Sequence, residues 1–108
     1  MGNRFGGFGG GGANMQAMMR QAQKMQQDAM RAKEELESTI FEGSASGGLV
    51  KVEVNGKLEM VSLTIDKAVV DPDDIEMLED LIVASFNDAA TKVEAEKSKK
   101  LGAFGGLI

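Results

Sequence analysis

The side chains that could carry out chemistry are few in this chain, and the two most versatile ones are missing. The 108 residues contain no histidine and no cysteine, which removes the usual zinc and iron ligands, the thiol nucleophile and the commonest general base. A serine nucleophile needs such a base beside it, and no motif supplies a lysine or carboxylate in that role. We therefore predict that the chain is not an enzyme and uses no cofactor. Its serines are Ser38, Ser44, Ser46, Ser62, Ser85 and Ser98.

The acidic cluster Asp71-Pro72-Asp73-Asp74 could bind a metal ion or begin a helix. Helix capping accounts for all four residues, because Asp71 suits the N-cap, Pro72 suits the first helical position, and carboxylates favour the positive end of the helix dipole. We therefore expect a helix start here and no metal site. The glycine-rich segments lack the Gly-Lys-Ser/Thr ending of a phosphate-binding P-loop.

The remaining chemistry is carried by cations, and their distribution is uneven. The net charge of −5 argues against a nucleic-acid partner. The acidity is concentrated, however, since residues 66–90 carry eight acidic groups and one lysine. Residues 14–39 are neutral, and residues 91–101 carry four lysines against two glutamates. Outside the acidic segment, the chain is therefore neutral to weakly basic.

A long helix is predicted from Asn14, which can act as its N-cap. Apolar residues follow at alternating gaps of three and four, a heptad pattern. A helix of about 24 residues reaches roughly 36 Å, farther than a sheet of short strands can cover. Part of the apolar stripe should therefore project and need a second helix, from this chain or from a partner. The stripe, called the seam below, comprises Met15, Met18, Ala22, Met25, Ala29, Ala32 and Leu36.

The basic side chains of the two helices fall in two groups. Three lie away from the seam on the first helix, at Arg20, Lys24 and Arg31. Four more gather at the distal end of the second helix, at Lys92, Lys97, Lys99 and Lys100. A solvated helix surface accounts for them as well as a binding surface does. Dimerisation would favour a binding surface, because a dimer would carry twice as many of these cations.

The middle of the chain predicts a short antiparallel sheet. Thr39–Glu42 is a possible strand, and Leu49–Val54 alternates apolar and polar residues. Asn55-Gly56 predicts a two-residue type I′ hairpin turn, which would place Val54 opposite Lys57 and Val50 opposite Val61. The predicted core face is then Val50, Val52, Val54, Val61, Leu63 and Ile65. The second helix should bury Ile75, Leu78, Ile82, Phe86, Ala89 and Val93.

The whole pattern predicts one α+β domain of two layers, with two long helices and two or three antiparallel strands. We expect a flexible glycine-rich arm at residues 1–13, a single domain at 14–100 and a flexible tail at 101–108. The arm carries Arg4, Phe5 and Phe8, so a weak nucleic-acid contact is the alternative to a floppy segment. The longest apolar run, Leu81–Ala84, is too short to span a membrane, so we expect a cytoplasmic protein.

Three segments together resemble the YbaB/EbfC family of bacterial nucleoid-associated proteins. They are the Met/Gln-rich opening Asn14–Met25, the run Gly48–Gly56 with its Asn-Gly turn, and the run Glu76–Ala90. The similarity spans roughly residues 14–97. It implies an α-β-β-β-α fold with a three-stranded antiparallel sheet, and a tight homodimer whose long helices project as arms.

The resemblance also implies that the chain binds double-stranded DNA in the nucleoid, with the arms as the usual place of contact. Carried onto this chain by position and charge, it favours Arg20, Lys24 and Arg31 with Lys92, Lys97, Lys99 and Lys100. Family genes often neighbour replication and recombination genes. The alternative is therefore a protein-interaction module that acts with replication or recombination proteins and binds its partner through the methionine-rich seam or in the gap between the arms.

Overall fold

Two long helices flank one antiparallel sheet in the computed structural model, which describes the backbone of residues 2–107 and the side chains of residues 14–105. The sheet order is β1-β2-β3. This arrangement confirms the α+β class and the third strand. The elements are α1 (Gly2–Ser38), β1 (Ile40–Ala45), β2 (Val50–Asn55), β3 (Met60–Ile65) and α2 (Ile75–Leu101), with 3-10 turns at Ser46–Gly48, Lys67–Val69 and Gly102–Leu107.

The first and last elements of the chain have bounds that differ from those predicted from the sequence. Helix α1 begins at Gly2 instead of at Asn14. The side chains of residues 1–13 lie outside the described part, so the flexible arm predicted there stays a prediction. Helix α2 ends at Leu101, and its C-terminal extension is a 3-10 turn as far as Leu107.

The register of the β2–β3 hairpin corrects the prediction. Val50 lies opposite Ile65 and Val52 opposite Leu63, with a bulge at Glu53/Val54. The expected pairing of Val50 with Val61 is therefore wrong by four residues. An even shift leaves the apolar side chains on the same face of a strand, so the alternation pattern could not distinguish the two registers.

The register differs because the turn is longer than two residues. The backbone N–H of Leu58 donates to the Asn55 carbonyl at 2.9 Å, and the Asn55 side-chain oxygen accepts from the amides of Lys57 and Glu59 at 2.9 and 3.1 Å. The positive φ of this turn falls on Leu58, at 63°, and not on Gly56. Gly56 serves another purpose, since a Cβ there would collide with the backbone carbonyl of Leu36 at the end of α1.

The core forms where α2 crosses β1 and β2. Val52, Val54, Ala89 and Val93 are each at most 1% exposed, and the half-buried Phe41 and Phe86 pack against this cluster. Gly43 lets β1 approach α2 closely, because a Cβ there would lie 2.5 Å from the amide nitrogen of Ala89.

Strand β3 is left largely uncovered by the described residues. Val61 is 54% exposed and Leu63 is 42% exposed, so their assignment to the core is wrong. The same holds for Ile75, which is 50% exposed at the start of α2. One helix spans only part of a three-stranded sheet, and α2 lies over β1 and β2.

Helix α2 begins one turn later than predicted. Its N-cap is Asp74, whose side chain accepts from the backbone N–H of Met77 at 3.2 Å. Asp71, the predicted N-cap, instead accepts from the backbone N–H of Asp73 at 2.9 Å and so closes a turn that precedes the helix. Two of the three aspartates of the cluster, Asp71 and Asp74, therefore have local structural roles.

Candidate nucleic-acid interface

The seam of α1 divides into a covered half and an exposed half. Towards its C-terminal end, α1 packs against α2, and Ala29 and Leu36 are only 1% and 3% exposed. The C-terminal ends of the two helices are joined by an ion pair of 3.7 Å between Lys100 and Glu35. This half of the seam therefore finds its second helix within the chain.

The N-terminal half of the seam has no such cover among the described residues. Every residue from 14 to 27 is exposed, and we call this segment the helical arm. Met15 is 66% exposed, Met18 68% and Met25 46%, and Ala22 is exposed beside them. The described part of the chain measures 89 × 16 × 16 Å, as expected when a long helix extends past the rest of the domain.

Three of the cations of α1 form one row, called the cation row below. At about 100° per residue, Arg20, Lys24 and Arg31 lie within about 40° of one another around the helix axis. They lie on the side of α1 away from the seam and span roughly 16 Å along the axis. All three are exposed. The structure thus brings these predicted residues onto one surface.

The charges of the cation row are not held in strong ion pairs. Arg31 lies 4.0 Å from Asp28, but their side chains are 70% and 42% exposed, so this pair is weak and easily exchanged. Among residues 14–105, neither Arg20 nor Lys24 takes part in an ion pair. Glutamines flank the row, and their amides can also donate to phosphate oxygens. Two shallow grooves beside it are lined by residues that include Gln16, Gln23, Gln26 and Gln27.

The four lysines of α2 do not form a comparable surface. Lys92 donates to the backbone carbonyl of Glu42 at 2.7 Å and lies 3.8 Å from Asp88, so it ties α2 to β1. Lys100 is engaged with Glu35 on α1 and is 32% exposed. Lys97 and Lys99 are exposed, but they point about 160° apart around the helix.

Sequence reasoning missed a second cluster of basic side chains. Lys33, Lys57 and Lys97 line a groove between the two helices and the β2–β3 turn. Glu37 and Glu94 lie in the same groove. The groove therefore combines three lysines with two glutamates, and its net positive charge is small.

The acidic residues at the start of α2 lie far from the arm. Asp73, Glu76 and Asp80 are exposed at the N-terminal end of α2, roughly 36 Å along the helix from the end that contacts α1. Among residues 14–105, no three acidic side chains come together in a way that could hold a metal ion. Within residues 2–107, no helix is both long enough and apolar enough to cross a membrane.

Comparison with known proteins shows the family of this chain. The sequence pattern of the YbaB/EbfC DNA-binding family matches residues 10–107. The chain belongs to the YbaB/EbfC DNA-binding family. This is a family of DNA-binding proteins and not of enzymes, which confirms the expectation drawn from the missing histidines and cysteines.

Relatives within the family are similar over nearly the whole chain. A nucleoid-associated protein of Clostridium perfringens is 48% identical over 101 residues, covering 94% of this chain and 90% of the relative. One from Lachnoclostridium phytofermentans is 50% identical over 111 residues, covering 94% and 93%. The Mycobacterium tuberculosis relative is 47% identical and covers 90% of this chain and 73% of its own.

A solved structure supports the family fold. The crystal structure of an uncharacterised protein from Helicobacter pylori superposes with a TM-score of 0.67 at 25% identity. The match covers 82% of this chain and 94% of that protein.

Proposed function

We propose that the chain is a nucleoid-associated protein that binds double-stranded DNA as a homodimer through the helical arms. The observation that carries this proposal is the row of Arg20, Lys24 and Arg31 on the face of α1 opposite the seam. Arg20 and Lys24 lie on the helical arm and Arg31 lies just beyond it, so one face of α1 offers cations to DNA while the opposite face offers apolar side chains to a helix. Membership of a DNA-binding family supports the choice of ligand.

The dimensions of the row suit a DNA backbone. One strand of duplex DNA places a phosphate every 3.4 Å along the helix axis, so the row of roughly 16 Å is as long as the axial rise of about five phosphates. Because the phosphates wind around the axis, a straight row can contact only some of them. Three flexible cations can each reach one of them. Contacts of this kind set affinity and position, and they carry no base sequence information.

Incomplete burial in one copy supports the homodimer. The core cluster consists of Val52, Val54, Ala89 and Val93, a small set for a chain of 108 residues. Large apolar side chains are exposed on β3 and along the arm. Small domains commonly extend such a core by association, and a dimer would present six cations of the row to one duplex.

The test is a salt titration of DNA affinity. If the six cations of a dimer each contact one phosphate, log affinity falls with log salt at a slope of about −5. The triple variant Arg20→Glu, Lys24→Glu, Arg31→Glu should lose this binding. A matched triple variant, Lys51→Glu, Lys57→Glu, Lys67→Glu, makes the same charge change at exposed positions outside the arm and should retain most of the slope. Equal losses in the two variants would refute the assignment to the arm.

A second candidate function rests on the exposed methionines. Met15 and Met18 are 66% and 68% exposed on the seam face, and flexible methionine side chains form adaptable protein-binding surfaces. A protein-interaction module that acts with replication or recombination proteins would lose its partner in a Met18→Ser, Met25→Ser variant and would tolerate reversal of the cation row. The DNA-binding function predicts the opposite pair of results for variants that still dimerise.

A further inference from the structure

Three methionines lie together on the helical arm with their side chains exposed. Met15 is 66% exposed, Met18 68% and Met19 63%. They occupy helical positions i, i+3 and i+4, so they fall within about 100° of one another around the axis of α1. Three polarisable sulfur atoms are therefore accessible on one surface of a single chain.

Helical geometry allows the three thioether groups to converge. Side chains three and four residues apart on a helix have Cβ atoms about 5–6 Å apart. Helical side chains lean towards the N-terminus of their helix, so Met18 and Met19 both extend over the turn that carries Met15. Methionine is unbranched and has three rotatable bonds. The three sulfur atoms can therefore approach one common point above the arm.

We propose that Met15, Met18 and Met19 form a binding site for one Cu(I) ion, coordinated by three thioether sulfurs. Thioethers are soft, uncharged ligands that favour Cu(I), whereas Mg²⁺ and Ca²⁺ prefer oxygen ligands and Zn²⁺ prefers thiolate, imidazole or carboxylate. The chain has no cysteine and no histidine to compete for a soft ion. The missing side chains that argue against zinc and iron therefore leave the methionines as its soft ligands.

The surrounding charges do not oppose a bound cation at this site. Arg20 and Lys24 lie on the opposite side of α1, about 140–180° from Met15 around the axis. The positive end of the helix dipole is also distant, because α1 begins at Gly2, roughly 20 Å along the axis from Met15. A bound ion would add one positive charge to the seam face and leave the cation row unchanged. The site does not depend on the proposed DNA binding.

Titration of the full chain with Ag(I) nitrate in chloride-free buffer tests the site, because Ag(I) is an air-stable ion with the charge and softness of Cu(I). By isothermal titration calorimetry we expect one Ag(I) per chain. The double variant Met18→Leu, Met19→Leu removes two sulfurs but keeps the helix propensity and the apolar volume. It should bind Ag(I) at least tenfold more weakly than the wild type.

The matched control is the double variant Met25→Leu, Met30→Leu. These two methionines are 46% and 50% exposed on the same helix, but they point about 140° apart around its axis and so cannot share an ion. The control should bind Ag(I) as tightly as the wild type. The proposal is overturned if both double variants lose affinity equally, if Met18→Leu, Met19→Leu loses none, or if the wild type binds no Ag(I) at micromolar concentration.

The methionine methyl groups give a second measurement that reports the ligands of Cu(I) itself. In protein labelled with carbon-13 at these methyl groups, Cu(I) added without oxygen should shift the NMR signals of Met15, Met18 and Met19. The signals of Met60 and Met77, which lie outside α1, should not move. Shifts confined to other methionines would place the ion elsewhere and refute the site. Leucine keeps the seam apolar, so a failure here leaves the DNA-binding proposal standing.

Discussion

Replacement of Gly43 by alanine should destabilise the protein more than its single added methyl group suggests. Gly43 lies in β1 where the strand passes closest to α2. A Cβ at this position would lie 2.5 Å from the backbone nitrogen of Ala89 and 2.7 Å from its Cβ, and it would collide with the carbonyl of Ser85. Ordinary contact between such atoms needs about 3.5 Å. The strand and the helix must therefore separate by about 1 Å.

The magnitude follows from what obstructs the new methyl group. Two of the three obstructing atoms belong to the backbone of α2, so no side-chain rotation can make room. Overpacking typically costs 1–3 kcal/mol, and we expect about 3 kcal/mol here. Separation would also loosen the contacts of Val52 and Val54 with α2, since a gap of 0.5–1 Å already loses a quarter to a half of a dispersion contact. For a domain of this size the melting temperature should fall by roughly 12–24 °C.

Thermal and urea unfolding followed by circular dichroism would measure the effect, at one fixed protomer concentration because association changes apparent stability. Gly47→Ala is the control. Its φ is 68° and an added Cβ meets nothing within 4 Å, so it should cost only the left-handed backbone penalty of about 1 kcal/mol. Our account of the β1–α2 contact is refuted if Gly43→Ala is no less stable than Gly47→Ala.

Two further substitutions test whether charged side chains near or on α2 stabilise the fold or bind DNA. Asp74→Ala removes the N-cap of α2 and should lower the free energy of unfolding by about 1 kcal/mol. Asp73→Ala makes the same charge change without removing that cap. If Asp73→Ala lowers the free energy of unfolding as much as Asp74→Ala does, the assignment of Asp74 as the N-cap is contradicted. Lys92→Met removes the bond to the Glu42 carbonyl and should cost about 1 kcal/mol or less, because the lysine side chain is 54% exposed. Lys92→Met should leave unchanged the slope of log DNA affinity against log salt concentration. If the magnitude of that slope falls by about one unit for each lysine removed, Lys92 contacts the DNA instead.

Local periodicity was sufficient to predict the two helices and strand β2, whereas the strand before β2 was only a possibility until the family resemblance supported it. The heptad spacing along α1 predicted a helix with one apolar face. The alternation of Val50, Val52 and Val54 predicted a strand with one buried face, and all three are fully buried. Positions that depend on contact with another element were less predictable. The predicted hairpin register was wrong because the turn is longer than two residues and is held by the bonds that Asn55 accepts from Lys57, Leu58 and Glu59.

The residues of the candidate interface were likewise predictable only in part. Helical geometry alone places Arg20, Lys24 and Arg31 on one face, because residues on a single helix keep fixed angles to one another. The lysines of α2 looked equivalent in sequence, yet Lys92 and Lys100 bind the carbonyl of Glu42 and the carboxylate of Glu35. Only the packing of α2 against β1 and α1 brings these partners within reach.

The sequence by itself determined the helices, the apolar face of β2, the cation row of α1 and the resemblance to a DNA-binding family, since each depends on neighbours along the chain. Tertiary structure alone decided which apolar residues are covered. It buries Ala29 and Leu36 towards the C-terminal end of α1 and leaves Met18 and Val61 exposed, although all four belong to apolar patterns of equal regularity. The physical reason is that burial depends on where a second element ends, and α2 is too short to cover the arm and too narrow to cover β3.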